Sequence, residues 1–142
     1  MNRIPLVSFE NEFELLKDKY LKSFENQLEI SQFIGGSAVV DFEEKIQSFF
    51  NVKHAIGVGN GTDALLIALE SINNIDGFDK KKNKVITPAF SFFATSKALV
   101  KAGYEPIFVD VDKNTGNLDV EQIENNLTDQ VVGILPVHLF GK

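Results

Sequence analysis

Gly59-Asn60-Gly61-Thr62-Asp63 is the segment whose residue types and spacing carry chemistry most directly. An apolar run, Ala55-Ile56-Gly57-Val58, breaks at glycines and passes straight into Ala64-Leu65-Leu66, a helix-forming sequence. The first N–H groups of a helix have no intrahelical acceptor, and the aligned peptide dipoles favour an anion there. Gly59 and Gly61 admit a closely approaching ligand, and Asn60 tolerates an unusual turn. Thr62 offers a hydroxyl, and Asp63 puts its charge in the first turn, where it suits the helix end. The segment reads as a phosphate seat or as an ordinary helix start with turn glycines. Neither the lysine-bearing phosphate loop nor the G-x-G-x-x-G dinucleotide pattern is present.

Three further segments bear chemically useful groups. Thr87-Pro88-Ala89-Phe90-Ser91-Phe92-Phe93-Ala94-Thr95 holds three phenylalanines in four positions. One of them offers a flat apolar face for a planar ring, and one or two are expected in the core. Asp110-Val111-Asp112 precedes Lys113-Asn114-Thr115-Gly116, which fits a charged surface turn better than a metal pair. Pro136-Val137-His138-Leu139-Phe140-Gly141 brings an imidazole to the end of an apolar run.

The elements that must position these groups follow from periodicity. Phe13, Leu16, Tyr20, Phe24 and Leu28 recur at helical spacing and predict an amphipathic helix over residues 10–29 whose stripe needs a partner. Val39, Phe42, Ile46, Phe49 and Phe50 begin a second, and Gly35-Gly36 forms a flexible elbow between them. Beyond His54, short apolar runs alternate with helical ones. Strands are expected at 54–58, 85–87, 107–109 and 131–137, and helices at 62–72, 91–102 and 119–127. Such alternation predicts a three-layer α/β/α fold with a mostly parallel sheet, preceded by a helical segment over residues 1–52. In such sheets ligands sit beyond the carboxyl ends of strands, and all four segments fall there.

Composition narrows the classes. The chain has 142 residues, a formal net charge of −6, thirteen phenylalanines and no cysteine. A disulfide framework and thiolate chemistry are excluded. His54 and His138 are the two histidines, so a zinc site, or any metal, is not expected. The acidic balance argues against nucleic acid, and Lys80-Lys81-Lys82 with Lys84 is expected to be a solvated loop. The segment from Met1 to Val7 lacks a secretory apolar core and no run approaches membrane-spanning length, so a cytoplasmic location is expected.

Taken together, the four segments resemble the DegT/StrS-like family of pyridoxal-phosphate-dependent nucleotide-sugar aminotransferases. The likeness rests on Gly59-Asn60-Gly61-Thr62-Asp63-Ala64-Leu65, on Thr87-Pro88 through Thr95, on Pro106-Ile107-Phe108-Val109-Asp110-Val111-Asp112, and on Leu135 through Gly141. Phe33-Ile34-Gly35-Gly36 followed by Asp41-Phe42-Glu43 adds to it upstream.

The resemblance implies the aspartate aminotransferase fold and a homodimer with active sites at the interface. Residues 53–142 would form the first half of the cofactor-binding large domain. It implies pyridoxal 5'-phosphate as cofactor, with Gly61, Thr62 and Asp63 on its phosphate and Phe92 stacked on its ring. Gly35 and His138 are candidates for substrate contact. It implies transfer of an amino group, with glutamate as donor, to a keto sugar on a nucleotide. The GNGTDAL and HLFG forms resemble members acting at the sugar's C3. The alternatives are a pyridoxamine-dependent sugar dehydratase of the same family, or a non-catalytic remnant or interaction domain. Family members run over twice this length and keep the Schiff-base lysine downstream, so no residue here is assigned as catalytic. The sequence is expected to be an N-terminal fragment whose half sheet leaves an open edge and apolar faces.

Overall fold

The computed structural model describes residue 5, residues 7–79 and residues 81–141. Of the sequence readings above, those on residues 1–4 and 6, on Lys80 and on Lys142 lie outside the described residues. The chain divides into two compact units, Met1–Gly57 and Val58–Lys142.

In the first unit, α1 spans Glu10–Ile30 and α2 spans Ser37–Phe50. α1 closes on Ser31, a left-handed residue whose N–H bonds the Gln27 and Leu28 carbonyls at 3.1 and 3.2 Å. Both glycines of the elbow are required by shape. Gly35 has φ +62°, and a Cβ on Gly36 would lie 2.9 Å from the Gln32 Cβ. The expected apolar stripes are present, with Phe13, Phe24, Phe42 and Phe49 exposed and no residue of either helix buried.

Residues 54–58 are not a strand, contrary to the sequence expectation. Alternation of apolar residues marks a face, whereas a strand also needs a neighbour to complete its ladder. Here the Gly57 N–H donates to the Glu43 Oε1 of α2 at 2.6 Å.

The second unit is built on three parallel strands in the order β2-β1-β3. β1 is Lys84–Pro88, β2 Glu105–Val109 and β3 Val131–Ile134. The helices are α3 (Gly61–Ile72), α4 (Phe93–Lys101) and α5 (Val120–Asn126). Lys84 opens β1 and pairs with Glu105 at 3.6 Å, so it is not in the expected lysine loop. β3 stops short of the expected 137 because Pro136 carries no N–H.

β1 leads through α4 to β2 on one side, and β2 leads through α5 back across to β3 on the other. Crossovers of one hand that reverse direction lie on opposite faces of the sheet. α3 packs against α4 on the first face. The core on that face is Leu69, Val85, Ala98, Leu99 and Tyr104, with Leu65, Phe78, Val132 and Leu135 packed around it. Ile86 is fully buried. All three phenylalanines of the aromatic loop are exposed, Phe90 58%, Phe92 75% and Phe93 69%, so none is core. They flank the start of α4 while Thr95, Ala98 and Leu99 take its buried positions. No described helix is long and apolar enough to cross a membrane.

Candidate functional site

The start of α3 is built by its cap. Asn60 is extended (φ −167°, ψ 173°), and its Oδ1 accepts the Asp63 N–H at 3.0 Å. Its Nδ2 donates to the Asp63 Oδ2 at 2.8 Å, closing the cap in both directions. The Ala64 N–H bonds the Asn60 carbonyl at 3.0 Å. Asn60 therefore serves as an N-cap rather than as a residue chosen for an unusual turn.

This settles which donors remain. The N–H groups of Gly61 and Thr62 have no acceptor among the described residues, whereas that of Asp63 is engaged by Asn60. Nothing lies within 4 Å of a Cβ built on Gly61. The seat thus offers two open N–H groups at the positive end of a helix, beside the half-buried Thr62.

Topology brings the start of α3 towards the carboxyl ends of the strands, where open α/β sheets bind ligands. The Tyr104 hydroxyl reaches the Leu69 carbonyl at 3.4 Å, and the Asn73 Nδ2 reaches the Ala102 carbonyl at 2.9 Å. The carboxyl end of α3 is therefore tied to that of α4 and the entry of β2. α4 starts just beyond the carboxyl end of β1, so the amino end of the neighbouring α3 lies towards that same edge. Phe92, the N-cap residue of α4, stands there with its ring exposed. Strand order reverses between β1 and β3, and such switch points are where open α/β sheets bind ligands. His138 follows the β3 side of that point and is exposed. Three strand ends converge here rather than four, since residues 54–58 are not a strand. Gly35 belongs to the other unit, with open space around its α-carbon.

Asp110 and Asp112 are occupied locally. The Asp112 Oδ1 accepts the Asn114 and Thr115 N–H groups at 3.0 and 2.8 Å, and the Asp110 Oδ1 accepts the Val111 N–H at 2.8 Å. Among the described residues no group of three or more histidines and carboxylates is placed to hold a metal ion.

The reciprocal cap was not foreseen, although an Asn-x-x-Asp spacing before an apolar helix is its signal. Thr87, which opens the aromatic segment, has no separate role in the sequence reading. It is fully buried and donates to the Leu135 carbonyl at 2.9 Å.

This is an α/β fold on a parallel sheet, with the starts of α3 and α4 towards the carboxyl ends of its strands. The chain belongs to the DegT/DnrJ/EryC1/StrS aminotransferase family, whose model matches residues 15–142. It is 37% identical over 139 residues to a "Pleiotropic regulatory protein" of Geobacillus stearothermophilus, covering 98% of this chain and 36% of that protein. It is 32% identical over 139 residues to UDP-2-acetamido-2-deoxy-3-oxo-D-glucuronate aminotransferase of Pseudomonas aeruginosa, covering 98% and 37%. Thus it spans a little over a third of these curated relatives.

Among solved structures it resembles NtdA of Bacillus subtilis with bound pyridoxamine phosphate. The TM-score is 0.82 at 30% identity, over 100% of this chain and 32% of that one. It also resembles the GDP-4-keto-6-deoxy-D-mannose-3-dehydratase of E. coli with bound hydrated pyridoxal phosphate. There the TM-score is 0.75 at 29% identity, over 82% and 30%.

Proposed function

We propose that this chain carries the cofactor-phosphate seat of a pyridoxal-phosphate-dependent aminotransferase acting on a nucleotide-linked keto sugar, with glutamate as amino donor. The observation that carries the reading is the pair of open N–H groups on Gly61 and Thr62 at the ligand edge that also bears the exposed Phe92 ring. The arrangement fits the cofactor, for an anion needs donors without protein acceptors and a planar ring needs a free aromatic face.

When bound, pyridoxal phosphate supplies a carbonyl that condenses with amines and a ring that withdraws electrons. The chain's own residues do the holding. Gly61 and Thr62 donate to the phosphate, and Thr62 adds its hydroxyl. Asp63, with Asn60, keeps the helix start in shape instead of lending its N–H. Phe92 covers one ring face and His138 contacts substrate, while Gly35 is a separate candidate for substrate contact in the other unit. Residues 53–142 form the first half of the cofactor-binding domain in this reading, and no lysine among them is assigned as the cofactor's anchor. The C3-keto position is favoured, since the Pseudomonas aeruginosa relative is named for a 3-oxo sugar. A homodimer in the cytoplasm completes the proposal.

Sugar dehydration is the second reading, favoured by the likeness to the E. coli dehydratase. The test is a titration of the purified protein with pyridoxal phosphate followed by visible absorbance and competed with inorganic phosphate. Incubation with glutamate and a UDP-linked 3-keto sugar follows. Competed binding is expected of this chain, and an amino sugar only where a Schiff-base lysine is also present. No binding overturns the seat, and a deoxy keto sugar in place of the amine favours the dehydratase.

A further inference from the structure

Two prolines interrupt the ladder where the β1 and β3 edges meet the ligand side of the sheet. The Leu135 N–H, one residue beyond β3, still donates to the Ile86 carbonyl at 2.8 Å. In a parallel ladder a residue that donates to one partner accepts from the residue two further along. The Leu135 carbonyl should therefore accept from residue 88, but that residue is Pro88 and has no N–H. The Thr87 hydroxyl supplies the missing donor at 2.9 Å from a side chain with no exposed surface. Pro136 follows and has no N–H to extend the pairing.

We infer that Thr87 is a positioning residue whose hydroxyl replaces the ladder bond Pro88 cannot make. It thereby fixes the point at which Leu135-Pro136-Val137-His138 leaves the sheet beside the ligand edge. A carbonyl held here sets the spacing between the β1 loop bearing Phe92 and the β3 segment bearing His138. Any methyl-bearing strand residue fills the volume, whereas this hydrogen bond requires a hydroxyl. The cofactor consequence rests on the function proposed above; the structural one does not.

The test compares Thr87→Val, which keeps shape and loses the donor, with Thr87→Ser, which keeps the donor. Hydrogen exchange at Leu135, read without cofactor from peptides that begin before β3 and run through 141, should accelerate about tenfold in Thr87→Val while β2 peptides hold the parental rate. Thr87→Ser should exchange as the parent does. Pyridoxal phosphate affinity should fall about fivefold in Thr87→Val and return with serine. Unchanged exchange of 135–141 in Thr87→Val overturns the inference whatever the cofactor does. Absence of cofactor binding in the parent overturns the proposed function instead and leaves the exchange result decisive. Should the valine variant fail to fold, Thr87→Ala, which also loses the donor, is compared with serine: faster exchange of 135–141 in alanine alone sustains the inference, and equal exchange in the two overturns it.

Discussion

Asn60 and Asp63 hold each other across the first turn of α3, the Oδ1 accepting the Asp63 N–H at 3.0 Å and the Nδ2 donating to the Asp63 Oδ2 at 2.8 Å. One residue thus satisfies a helix donor and restrains a carboxylate that sits close to the proposed anion. Asn60→Ala removes both bonds and should cost about 1 kcal/mol of stability, seen as a fall of a few degrees in Tm. Asn60→Asp keeps the acceptor but faces Asp63 with a second carboxylate. It should retain more stability than alanine and bind pyridoxal phosphate more weakly than alanine does. Melting curves and phosphate-competed titrations of the two variants separate the helix cap from the anion seat, because the two rankings are opposite.

Gly61 offers the converse separation. Its backbone is not left-handed, and nothing stands within 4 Å of an added Cβ. Gly61→Ala should therefore leave stability unchanged or raise it by up to about 1 kcal/mol through the unfolded chain. If a phosphate seats on this turn, the new methyl group crowds it and affinity drops while stability does not. Equal affinity in the alanine variant would mean that the anion does not approach the Gly61 backbone.

Much of this was legible beforehand, for reasons particular residues show. α3 and α4 announced themselves because helical periodicity is local and glycines or proline precede each start. Three of the four chemistry-bearing segments follow strands because strand and helix alternate, whereas the segment at 59–63 follows residues that are not a strand. What failed depended on partners distant in sequence. Val58 and Ile56 alternate like a strand, but the Gly57 N–H finds Glu43 fourteen residues upstream. One or two of Phe90, Phe92 and Phe93 are expected in the core from the sequence, and only packing decides that Thr95, Ala98 and Leu99 take those places. Thr87 opens one of the chemistry-bearing segments, but its hydrogen bond to the Leu135 carbonyl spans 48 residues. Its proposed role emerges only once the Leu135 carbonyl is found where Pro88 has no N–H to donate, a relation no local pattern encodes.

Phe92 is 75% exposed, so truncating it removes little packing within the chain. Phe92→Ala should change stability by less than about 0.5 kcal/mol. Loss of a stacking face should weaken pyridoxal phosphate about threefold to tenfold. Inorganic phosphate has no ring and should bind Phe92→Ala as it binds the parent. Calorimetric titration with both ligands is the check. Equal losses for the two would show that Phe92 shapes the seat and does not stack.

The two perturbed titrations lie at opposite ends of the pH scale and should be separable by mutation. Hydrogen bonds from Thr115, then Asn114, hold the Asp112 carboxyl below its usual 3.8. A depressed acid pKa means that its stabilisation is present above 3.8 and is lost as pH falls through the folded-state value. Burial pushes the Tyr104 phenol above 10.0. Its folded form holds the proton more tightly, so that contribution is whole below 10.0 and is lost as pH rises through the folded-state value. Asp112→Asn should flatten the acid limb of a Tm-against-pH profile and leave the alkaline limb untouched. Tyr104→Phe keeps the ring against Phe78 and gives up a 3.4 Å bond to the Leu69 carbonyl, so it should flatten the alkaline limb. Because Tyr104 ties the ends of α3 and α4 together and Asp112 lies in the turn after β2, the double variant should show the two effects added, without coupling. A non-additive result would mean that the turn and the helix pair melt as one element.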